Sequence, residues 1–385
     1  MSRPLPLAGV RILDLTRLLP GPVATLHLAD LGAEVIKIED PQIGDYARTL
    51  GTGQGEDSAY FRMINRNKQG LCLDLKKPEG VEIFLRLARD ADVVVESFRP
   101  GVMDKLGVGY DRVAAVNPRI AYCAISGYGQ DGPYRDLAGH DINYLGYAGV
   151  LDQIGTEGDK PAIPNFQIAD LLGGALTAAM GILAAVLEAR TTGRGRFIDV
   201  SMTDSVLAHT YFAMLRLNDA GQSSPRGTDL LSGGLPCYAT YRCADGKYMA
   251  VGALESKFWK TCCQVLGKPE WVKRQWDAAL RDEMAGLFAD RNRDAWAAQF
   301  EAMDCCVTPV LSPEEALNNE QIAARGMVLR DEGLTQFAPP LKMSDFDFAV
   351  RQAAPRVGEH NTSILAAAGY TADEIGQLRA SGALG

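Results

Sequence analysis

Two residues, His140 and Asp170, have the types and the sequence settings that proton-transfer chemistry requires. The chain has four histidines, and His140 differs from the others because it follows a glycine and precedes the polar stretch Asp-Ile-Asn-Tyr. This setting predicts that His140 opens a helix. At a helix N-terminus the dipole disfavours the protonated imidazole and keeps a base available. A satisfied structural histidine is the alternative interpretation of the same residue.

Asp170 stands between an extended apolar segment, 164–169, and a stretch without any charged residue, 171–187. The sequence predicts a helix over that stretch, headed by the Asp170 carboxylate. One interpretation is a plain N-cap, a position where aspartate is common. The other places the carboxylate in a pocket, with its own N–H and the following ones free to hold an oxyanion. His140 and Asp170 then offer two groups of different pKa that flank one reacting carbon.

Basic residues are concentrated in the first half of the chain, in segments predicted to follow strands. The carboxyl ends of parallel strands are where α/β sheets bind ligands. In Ser97-Phe98-Arg99 the phenyl ring could stack on a base while the guanidinium binds phosphate. The basic residues are Arg62, Arg66, Lys68, Lys76, Lys77, Arg99 and Lys105. The alternative interpretation is a solvated charged surface, above all for Arg62 and Lys77.

The elements that must position these residues alternate between strands and helices. Such alternation predicts an α/β domain with a parallel, doubly wound sheet. No GxGxxG motif follows the first strand, which argues against a nicotinamide or flavin dinucleotide site. The predicted strands cover 10–16, 33–39, 91–98 and 119–126, and the predicted helices cover 20–30, 78–89 and 103–116.

From about residue 199 the pattern changes and predicts a smaller α+β domain. Segments 238–242 and 248–251 flank an Asp-Gly turn, which indicates a β-hairpin, and helical segments with tryptophan follow. We therefore expect a large domain over 1–200 that is completed by 330–385, a linker over 201–235, a small domain over 236–310 and a return linker over 311–329.

Composition and charge exclude several classes of protein. The chain of 385 residues is 47% apolar and 23% charged, which is ordinary for a globular protein, and its net charge of −9 argues against nucleic acid as a partner. The N-terminus has no apolar export segment, so we expect a cytoplasmic location. The eight cysteines form no CxxC motif, and we expect free, buried thiols and no metal site. The uncharged stretch 171–187 is shorter than the ~20 residues of a membrane span, and we interpret it as a buried core helix rather than a membrane anchor.

Short motifs spread over nearly the whole chain resemble the class III CoA-transferase family. Four are common to that family: Leu-Pro-Gly-Pro (19–22), Gly-Ala-Glu-Val-Ile-Lys-Ile-Glu (32–39), Asn-Lys-Gln-Gly-Leu-Cys-Leu-Asp-Leu-Lys (67–76) and Glu-Ser-Phe-Arg-Pro-Gly-Val (96–102). Three more are similar to its α-methylacyl-CoA racemase branch: Leu-Ala-Gly-His-Asp-Ile-Asn-Tyr (137–144), Gly-Gly-Leu-Pro-Cys-Tyr (233–238) and Ala-Val-Gly-Ala-Leu-Glu (250–255).

The resemblance implies a large Rossmann-like domain and a smaller domain, in ring-shaped subunits that interlock into a homodimer. It implies an acyl-CoA substrate and no cofactor beyond the CoA moiety of that substrate. Asp40 stands where the family commonly has an arginine for a CoA phosphate, and Arg48 or Arg66 is the expected substitute. The implied CoA contacts are Leu18, Leu19, Leu73, Asp74, Leu75, Lys76, Ser97, Phe98, Arg99 and Lys105.

The resemblance also implies how the chain acts on its substrate. In the racemases, the residues that match His140 and Asp170 form an acid–base pair, and the glutamate that matches Glu255 orients or polarises the histidine. This implies inversion of C2 of a 2-methyl-branched acyl-CoA by two-base proton transfer through an enolate, with the N–H groups at the head of the Asp170 helix as oxyanion donors. Ser232 and Cys237 differ from the Asp and Phe of well-known racemases, so the acyl chain stays open.

Two alternative functions remain. In the transferase branch the aspartate is a nucleophile that forms an anhydride and then an aspartyl-CoA thioester, so that CoA moves between carboxylic acids. The position of His140 is usually another residue there, often Tyr, and the presence of His140 and Glu255 therefore favours the racemase. A third possibility is a non-enzymatic subunit that binds acyl-CoA or regulates a partner.

Overall fold

The computed structural model describes residues 3–51, 57–331 and 333–385. Its largest sheet has six parallel strands: β1 (Arg11–Asp14), β2 (Glu34–Glu39), β3 (Lys68–Cys72), β4 (Val93–Glu96), β5 (Ala121–Ser126) and β6 (Phe197–Ser201). They lie in the order β3-β2-β1-β4-β5-β6, which confirms the predicted α/β fold. The order reverses between β1 and β4, and such a switch point leaves a crevice at the carboxyl ends of the two strands.

Helices connect these strands and continue through the second half of the chain. Pro20 and Pro78 begin their helices because a proline in the first turn has no N–H to leave unbonded. The helices are α1 (Pro20–Asp30), α2 (Ala59–Asn65), α3 (Pro78–Ala88), α4 (Val102–Lys105), α5 (Tyr110–Val116), α6 (Asp141–Tyr147), α7 (Thr177–Thr192), α8 (Met202–Leu207), α9 (Tyr211–Ala220), α10 (Ser256–Val265), α11 (Leu280–Phe288), α12 (Arg293–Phe300), α13 (Pro313–Leu317), α14 (Glu320–Ala324), α15 (Asn361–Ala367) and α16 (Ala372–Ala380).

One predicted helix is wrong in its continuity. The sequence predicted a single helix over 103–116, whereas the chain forms α4 and α5 with a turn between them. Gly107 adopts a φ of 76°, a left-handed conformation that ends a helix, and its N–H donates to the carbonyl oxygen of Asp104.

The chain divides into two compact units. The large unit comprises the described residues up to Ala148, Asn165–His209 and Gly326–Gly385, and the small unit comprises Gly149–Pro164 and Thr210–Arg325. The C-terminal part of the large unit adds a hairpin, β10 (Val328–Asp331) with β11 (Leu334–Phe337), as well as α15 and α16. Asn361 attaches α15 to the main sheet, because its Oδ1 accepts a hydrogen bond from the Cys72 N–H at 2.8 Å.

The segment 149–164 belongs to the small unit, whereas the sequence analysis placed it in the large domain. Arg226 explains the difference, since its guanidinium donates hydrogen bonds to the carbonyl oxygens of Asp152 at 2.7 Å and of Asp159 at 2.6 Å. The two segments predicted as linkers, 201–235 and 311–329, contain helices that belong to the two units. Residues 201–209 carry α8 in the large unit, and α13 and α14 lie in the small unit.

The small unit contains an antiparallel sheet of β7 (Tyr238–Arg242), β8 (Tyr248–Gly252) and β9 (Val307–Pro309). The predicted hairpin is therefore confirmed. The side chains of Trp259, Trp296 and Phe288 fill the core beside it. Of the eight free cysteines seven are buried as expected, but Cys306 is exposed.

The longest helical run of the large unit carries Asp170 near its start. It begins as a π-helix over Ala169–Leu176 and continues as α7. The expectation of a buried core helix is wrong for one face, because Met180 is 67% and Leu187 is 69% exposed. Within the described residues this run, Ala169–Thr192, is the one helix that is long and apolar enough to cross a membrane, and less than half of its most apolar window is buried.

Candidate active site

A cavity of about 470 Å³ lies at the switch point of the large sheet, and both His140 and Asp170 line it. Its wall includes residues that follow three neighbouring strands at their carboxyl ends. These are Arg17 and Leu18 after β1, Ser97 and Arg99 after β4, and Gly127 after β5. This is the position at which open α/β sheets bind their ligands.

His140 lies at the N-cap position of α6, as the sequence predicted. Asn143 closes the first turn, since its Oδ1 accepts a hydrogen bond from the His140 N–H at 3.0 Å. Tyr144, from the same helix, is buried and donates its hydroxyl hydrogen bond to the Gly139 carbonyl oxygen. A Cβ on Gly139 would lie 2.6 Å from the Tyr144 ring, so only glycine fits before the histidine. The His140 side chain itself is exposed toward the cavity.

Asp170 lies in the first turn of the π-helix and not at its N-cap, which is Ile168. The N-cap interpretation is therefore wrong, because the backbone already has helical φ and ψ two residues earlier. Burial, and after it the negative charge of Asp141, raises the pKa of Asp170 to about 7 from 3.8. A carboxyl with this pKa can both accept and donate a proton near neutral pH.

The expected oxyanion donors at the head of the Asp170 helix are already bonded. The Asp170 N–H donates to Oδ1 of Asp141 at 3.0 Å, and the Ala169 N–H before it is directed at the same carboxylate. The Leu171 N–H that follows donates to the Gln167 carbonyl oxygen at 2.9 Å. The prediction that these N–H groups are free is therefore wrong. In the sequence, Asp141 is marked only by its position beside His140, and this role could not be predicted from it.

Two glycines let the Asp170 helix approach its neighbours closely. A Cβ on Gly173 would lie 2.8 Å from the carbonyl oxygen of Met202 at the start of α8. A Cβ on Gly174 would lie 2.6 Å from the Cβ of Pro20 at the start of α1. These contacts fix the helix between α1 and α8, and the Gly-Gly pair in an otherwise helical stretch was the sequence signal for such close packing.

The predicted CoA-binding residues of the first cavity are Leu18, Ser97, Phe98 and Arg99. Leu18 has a φ of 65°, a left-handed conformation that is unusual for a residue with a side chain. Asp45, which the sequence analysis did not single out, holds it there, because its Oδ1 accepts the Leu18 N–H at 3.0 Å. The Arg17 guanidinium lies 4.8 Å from the centroid of the Phe98 ring and occupies one of its faces.

A second cavity, of about 510 Å³, gathers predicted CoA-binding residues at the ends of β3 and β4. Leu75, Lys76 and Lys105 line it, together with Lys77 and Arg112. Four cations at one opening can hold phosphate groups despite the net negative charge of the chain. The predicted binding residues are thus divided between two cavities of the large unit.

Three predicted CoA contacts line neither cavity. The side chains of Leu73 and Asp74 are buried, and the Asp74 carboxylate accepts the Lys76 N–H at 2.9 Å. Leu19 is the N-cap residue of α1. Binding at these positions stays a prediction, and at Leu73 and Asp74 it would have to use the main chain.

The expected substitutes for the family arginine at position 40 are occupied. Arg66 forms a buried ion pair with Asp30, at 2.6 Å, and the Arg48 guanidinium pairs with Glu39 at 2.5 Å. Neither guanidinium is accessible to a phosphate, so this expectation is wrong. Asp40 itself pairs with Lys76, whose Nζ lies 3.2 Å from its Oδ2.

Lys68 also differs from the expectation of a basic loop residue. It begins β3 and is fully buried, with its Nζ 3.2 Å from Oδ2 of Asp14 and 2.9 Å from Oδ1 of Asn65. Burial lowers the pKa of Lys68 to about 8. The Lys68 ammonium group therefore binds partners inside the large unit and is not accessible to a ligand.

Glu255 belongs to the small unit, where it is exposed at the N-cap of α10. The predicted action of Glu255 on His140 stays a prediction. Across the residues that the structure describes, no group of three or more His, Cys, Asp or Glu side chains is placed to hold a metal ion.

Comparison with known proteins shows relatives along almost the whole chain. The family model described as CoA-transferase family III matches residues 7–361. An alpha-methylacyl-CoA racemase of Homo sapiens is 36% identical over 379 residues, which cover 97% of this chain and 96% of the relative. A succinyl-CoA:glutarate CoA-transferase of Homo sapiens is 33% identical, over 98% of this chain and 89% of the relative.

A solved structure has the same fold. The crystal structure of a CAIB/BAIF family protein from Brucella suis matches 95% of this chain and 100% of its own chain, with a TM-score of 0.84 and 30% sequence identity. The six-stranded parallel sheet and the smaller antiparallel sheets are therefore shared with a protein solved by experiment.

Proposed function

Because this chain belongs to CoA-transferase family III, we propose that it is an acyl-CoA racemase, which inverts C2 of a 2-methyl-branched acyl-CoA. One observation carries the proposal: His140 and Asp170 converge on one cavity at the switch point of the sheet. The pKa of Asp170, raised to about 7, gives this carboxyl the proton affinity that an acid–base role near neutral pH requires.

In this mechanism the two residues exchange protons with opposite faces of C2. The thioester carbonyl acidifies the C2–H bond, and one of His140 and Asp170 removes that proton. The electron pair of the broken bond moves into an enolate. The other residue, protonated at the start, then delivers its proton to C2 from the opposite face. Reversal of the same steps converts the other enantiomer, so each residue acts as the base in one direction and the acid in the other.

The enolate oxygen needs hydrogen-bond donors in the cavity. The N–H groups of Ala169 and Asp170 are bonded to Asp141 and cannot serve. Asn143 lines the same cavity, and the bond to the His140 N–H uses its oxygen and leaves its amide nitrogen. We therefore assign Asn143 as a donor candidate within this proposal.

The CoA moiety is placed in this proposal along the two cavities of the large unit. Phe98 and Arg99 border the first cavity, and Lys76 and Lys105 border the second. Guanidinium and ammonium groups suit the phosphates of CoA. Beyond the CoA of the substrate the proposal needs no cofactor, and it keeps Glu255 as the residue that orients His140.

CoA transfer between two carboxylic acids is the second candidate. Its support is the 33% identity to a succinyl-CoA:glutarate CoA-transferase, together with the place of Asp170 in the cavity, where it would be the nucleophile. The transferase needs only Asp170 as its nucleophile, whereas the racemase needs a second acid–base group, and His140 supplies one in the same cavity. This observation favours the racemase.

We further propose that the protein is an interlocked homodimer in the cytoplasm. The apolar side chains Leu176, Met180, Leu183 and Leu187 are 40–69% exposed along one helical run. A contiguous apolar face of this kind is typical of a surface that another chain covers. A second copy of the same chain is the occupant that a symmetric dimer requires.

The test is incubation of one enantiomer of a 2-methylacyl-CoA with the protein in D₂O, with and without an added carboxylic acid. The racemase incorporates deuterium at C2 and forms the other enantiomer without any acceptor acid. Movement of CoA to the added carboxylate, with no exchange at C2, would instead establish the transferase.

A further inference from the structure

We propose that Asp141 is a positioning residue, whose carboxylate fixes Asp170 relative to His140 by binding the first N–H groups of the Asp170 helix. The inference rests on the proposed function, since it gives Asp141 a part in the same two-base site. Asp141 directly follows His140 as the first residue of α6. Its Oδ1 accepts the Asp170 N–H at 3.0 Å, which joins two helix starts that lie 29 residues apart in the chain.

The carboxylate of Asp141 is directed away from its own helix. An acidic residue in a first turn commonly interacts with the N–H groups of that same helix. In α6 the first turn is closed by Asn143, whose oxygen accepts the His140 N–H at 3.0 Å. Asp141 is directed instead at the N–H groups of Ala169 and Asp170. Any movement of α6 that displaces the imidazole therefore also acts on the start of the Asp170 helix.

Asp141 acts on Asp170 through its negative charge as well as through the hydrogen bond. Burial and Asp141 raise the pKa of Asp170. Burial, and after it the charge of Asp170, raises the pKa of two tyrosines, Tyr144 on α6 and Tyr60 on α2. Both phenols are neutral when Asp170 titrates. Burial is the larger cause of the raised Asp170 pKa, and the charge of Asp141 adds to it.

The remaining elements packed against the Asp170 helix bring no charge to it at their closest contacts. Helices α1 and α8 approach it with Pro20 and Met202. On β6, the pKa of Asp199 is raised by burial and by Asp131 and Asp204, and not by Asp170. Three arginines, Arg17, Arg99 and Arg135, line the cavity, and Arg99 acts against the rise in the pKa of Tyr144.

Three variants separate the geometry from the charge. Asp141→Asn keeps an oxygen that can accept the Asp170 N–H but removes the charge, and Asp141→Ala removes both. Asp136→Asn is the matched control, because Asp136 precedes His140 in the same loop, is 79% exposed and is absent from the cavity wall. Thermal unfolding first establishes that each variant is folded; if Asp141→Ala is not, Asp141→Asn decides alone.

The first readout needs no substrate. In protein labelled with ¹³C at aspartate carboxyls, the signal of Asp170 is assigned by its loss in Asp170→Asn, and its titration is followed by NMR. We expect Asp141→Asn to move the Asp170 midpoint to lower pH and Asp136→Asn to leave it unchanged. An unchanged midpoint in Asp141→Asn overturns the proposal, even if inversion is slowed.

The second readout is inversion at C2. Asp141→Asn should stay within about tenfold of the wild-type turnover, whereas Asp141→Ala should lose about 10²-fold, the size of effect that a 1 Å misplacement of a reacting group produces. Equal turnover in wild type and Asp141→Ala would overturn the positioning role. If the wild type shows no exchange at C2 but the Asp170 midpoint still moves in Asp141→Asn, the proposed function has failed and the coupling of Asp141 to Asp170 stands.

Discussion

Lys37 and Asp45 form an ion pair at 2.8 Å in which both side chains are fully buried. The same ammonium donates to the carbonyl oxygen of Thr16 at 3.0 Å, and the second oxygen of Asp45 accepts the Leu18 N–H. The pair therefore holds the backbone on both sides of Arg17, which lines the cavity of His140 and Asp170. The buried Lys37–Asp45 pair thus fixes the part of the cavity wall that contains Arg17 and Leu18.

Breaking this pair should destabilise the large unit strongly. We expect Lys37→Met to lower the free energy of unfolding by about 3–5 kcal/mol, because Asp45 is left as a buried, unpaired charge. Arg11→Met is the matched control, since the Arg11–Glu34 pair is 37% and 41% exposed and should contribute about 0–1 kcal/mol. Urea unfolding measures both, and equal losses would show that burial of the Lys37 pair does not matter.

Loss of the imidazole should separate inversion from exchange. In the racemase, His140→Ala should slow inversion in both directions by about 10²–10⁴-fold, because each direction needs both groups. Exchange at C2 should persist for the enantiomer whose proton Asp170 removes. The assay follows inversion and deuterium uptake for each enantiomer, with His209→Ala, outside the cavity wall, as control. Near wild-type inversion in His140→Ala would remove this histidine from the mechanism.

The pH dependence of inversion should be bell-shaped and the same for both enantiomers. The active form of the pair holds one proton, so the rate falls when both groups are protonated at low pH. It falls again at higher pH, when the pair loses its last proton, and the pKa of Asp170, raised to about 7, places the optimum near neutral pH. The kcat/KM values of the two directions follow one pH curve, because their ratio equals the equilibrium constant between the enantiomers, which does not depend on pH. A transferase needs ionised Asp170, and its rate would instead rise through about 7 to a plateau when kcat/KM is measured across pH 5–9.

The close approach of α1 should make Gly174 intolerant of a side chain. Gly174→Ala would place a Cβ 2.6 Å from Pro20, so the helix that carries Asp170 must shift. We expect inversion to fall by about 10²-fold in a protein that still folds. Gly376→Ala in α16 meets no atom within 4 Å and should raise stability by about 0.5–1 kcal/mol. Unaltered turnover in Gly174→Ala would mean that the helix position is not critical.

The proposed interlocked dimer should not separate without unfolding. An interlocked chain has to open before it releases its partner, so dilution alone cannot produce a folded monomer. Sedimentation velocity over a range of protein concentrations tests this, with circular dichroism on the same samples. A folded monomer at low concentration would disprove the interlocked arrangement.

Much of the fold could be predicted because its signals are local. Strands β1, β2, β4 and β5 are short apolar runs of consecutive residues, and two of the connecting helices, α1 and α3, begin at proline. Strands β3 and β6 were missed: β3 begins with the buried charge of Lys68, and β6 is partly exposed and contains Asp199. A charged residue in a strand indicates exposure unless its partner is known, and the partner of Lys68 is 54 residues away.

The site could be predicted only in part, for the same reason. The N-cap position of His140 follows from its neighbours, whereas the bond from Asp170 to Asp141 depends on how two helices pack. The sequence likewise counted Arg66 among the cations that a phosphate could reach. Its buried pair with Asp30, 36 residues away, exists only in the folded chain. Local patterns thus identify candidate groups, and tertiary contacts decide which remain accessible.

The π-helical start of the helix that carries Asp170 has a consequence for how this sequence can change over generations. A π-helix uses more residues for each hydrogen-bonded turn than an α-helix does. The segment Ala169–Leu176 therefore has more residues than an α-helix with the same number of turns would need. Deleting one residue within 171–176 would let the backbone close into an ordinary α-helix, in which one residue fewer spans the same hydrogen-bonded turn, so that Asp170 would keep about the same direction relative to α7. The same loss within the α-helical part of the run, Thr177–Thr192, would instead rotate Asp170 by about 100° relative to the rest of the helix. Single-codon losses are therefore better tolerated at the π-helical start than beyond it.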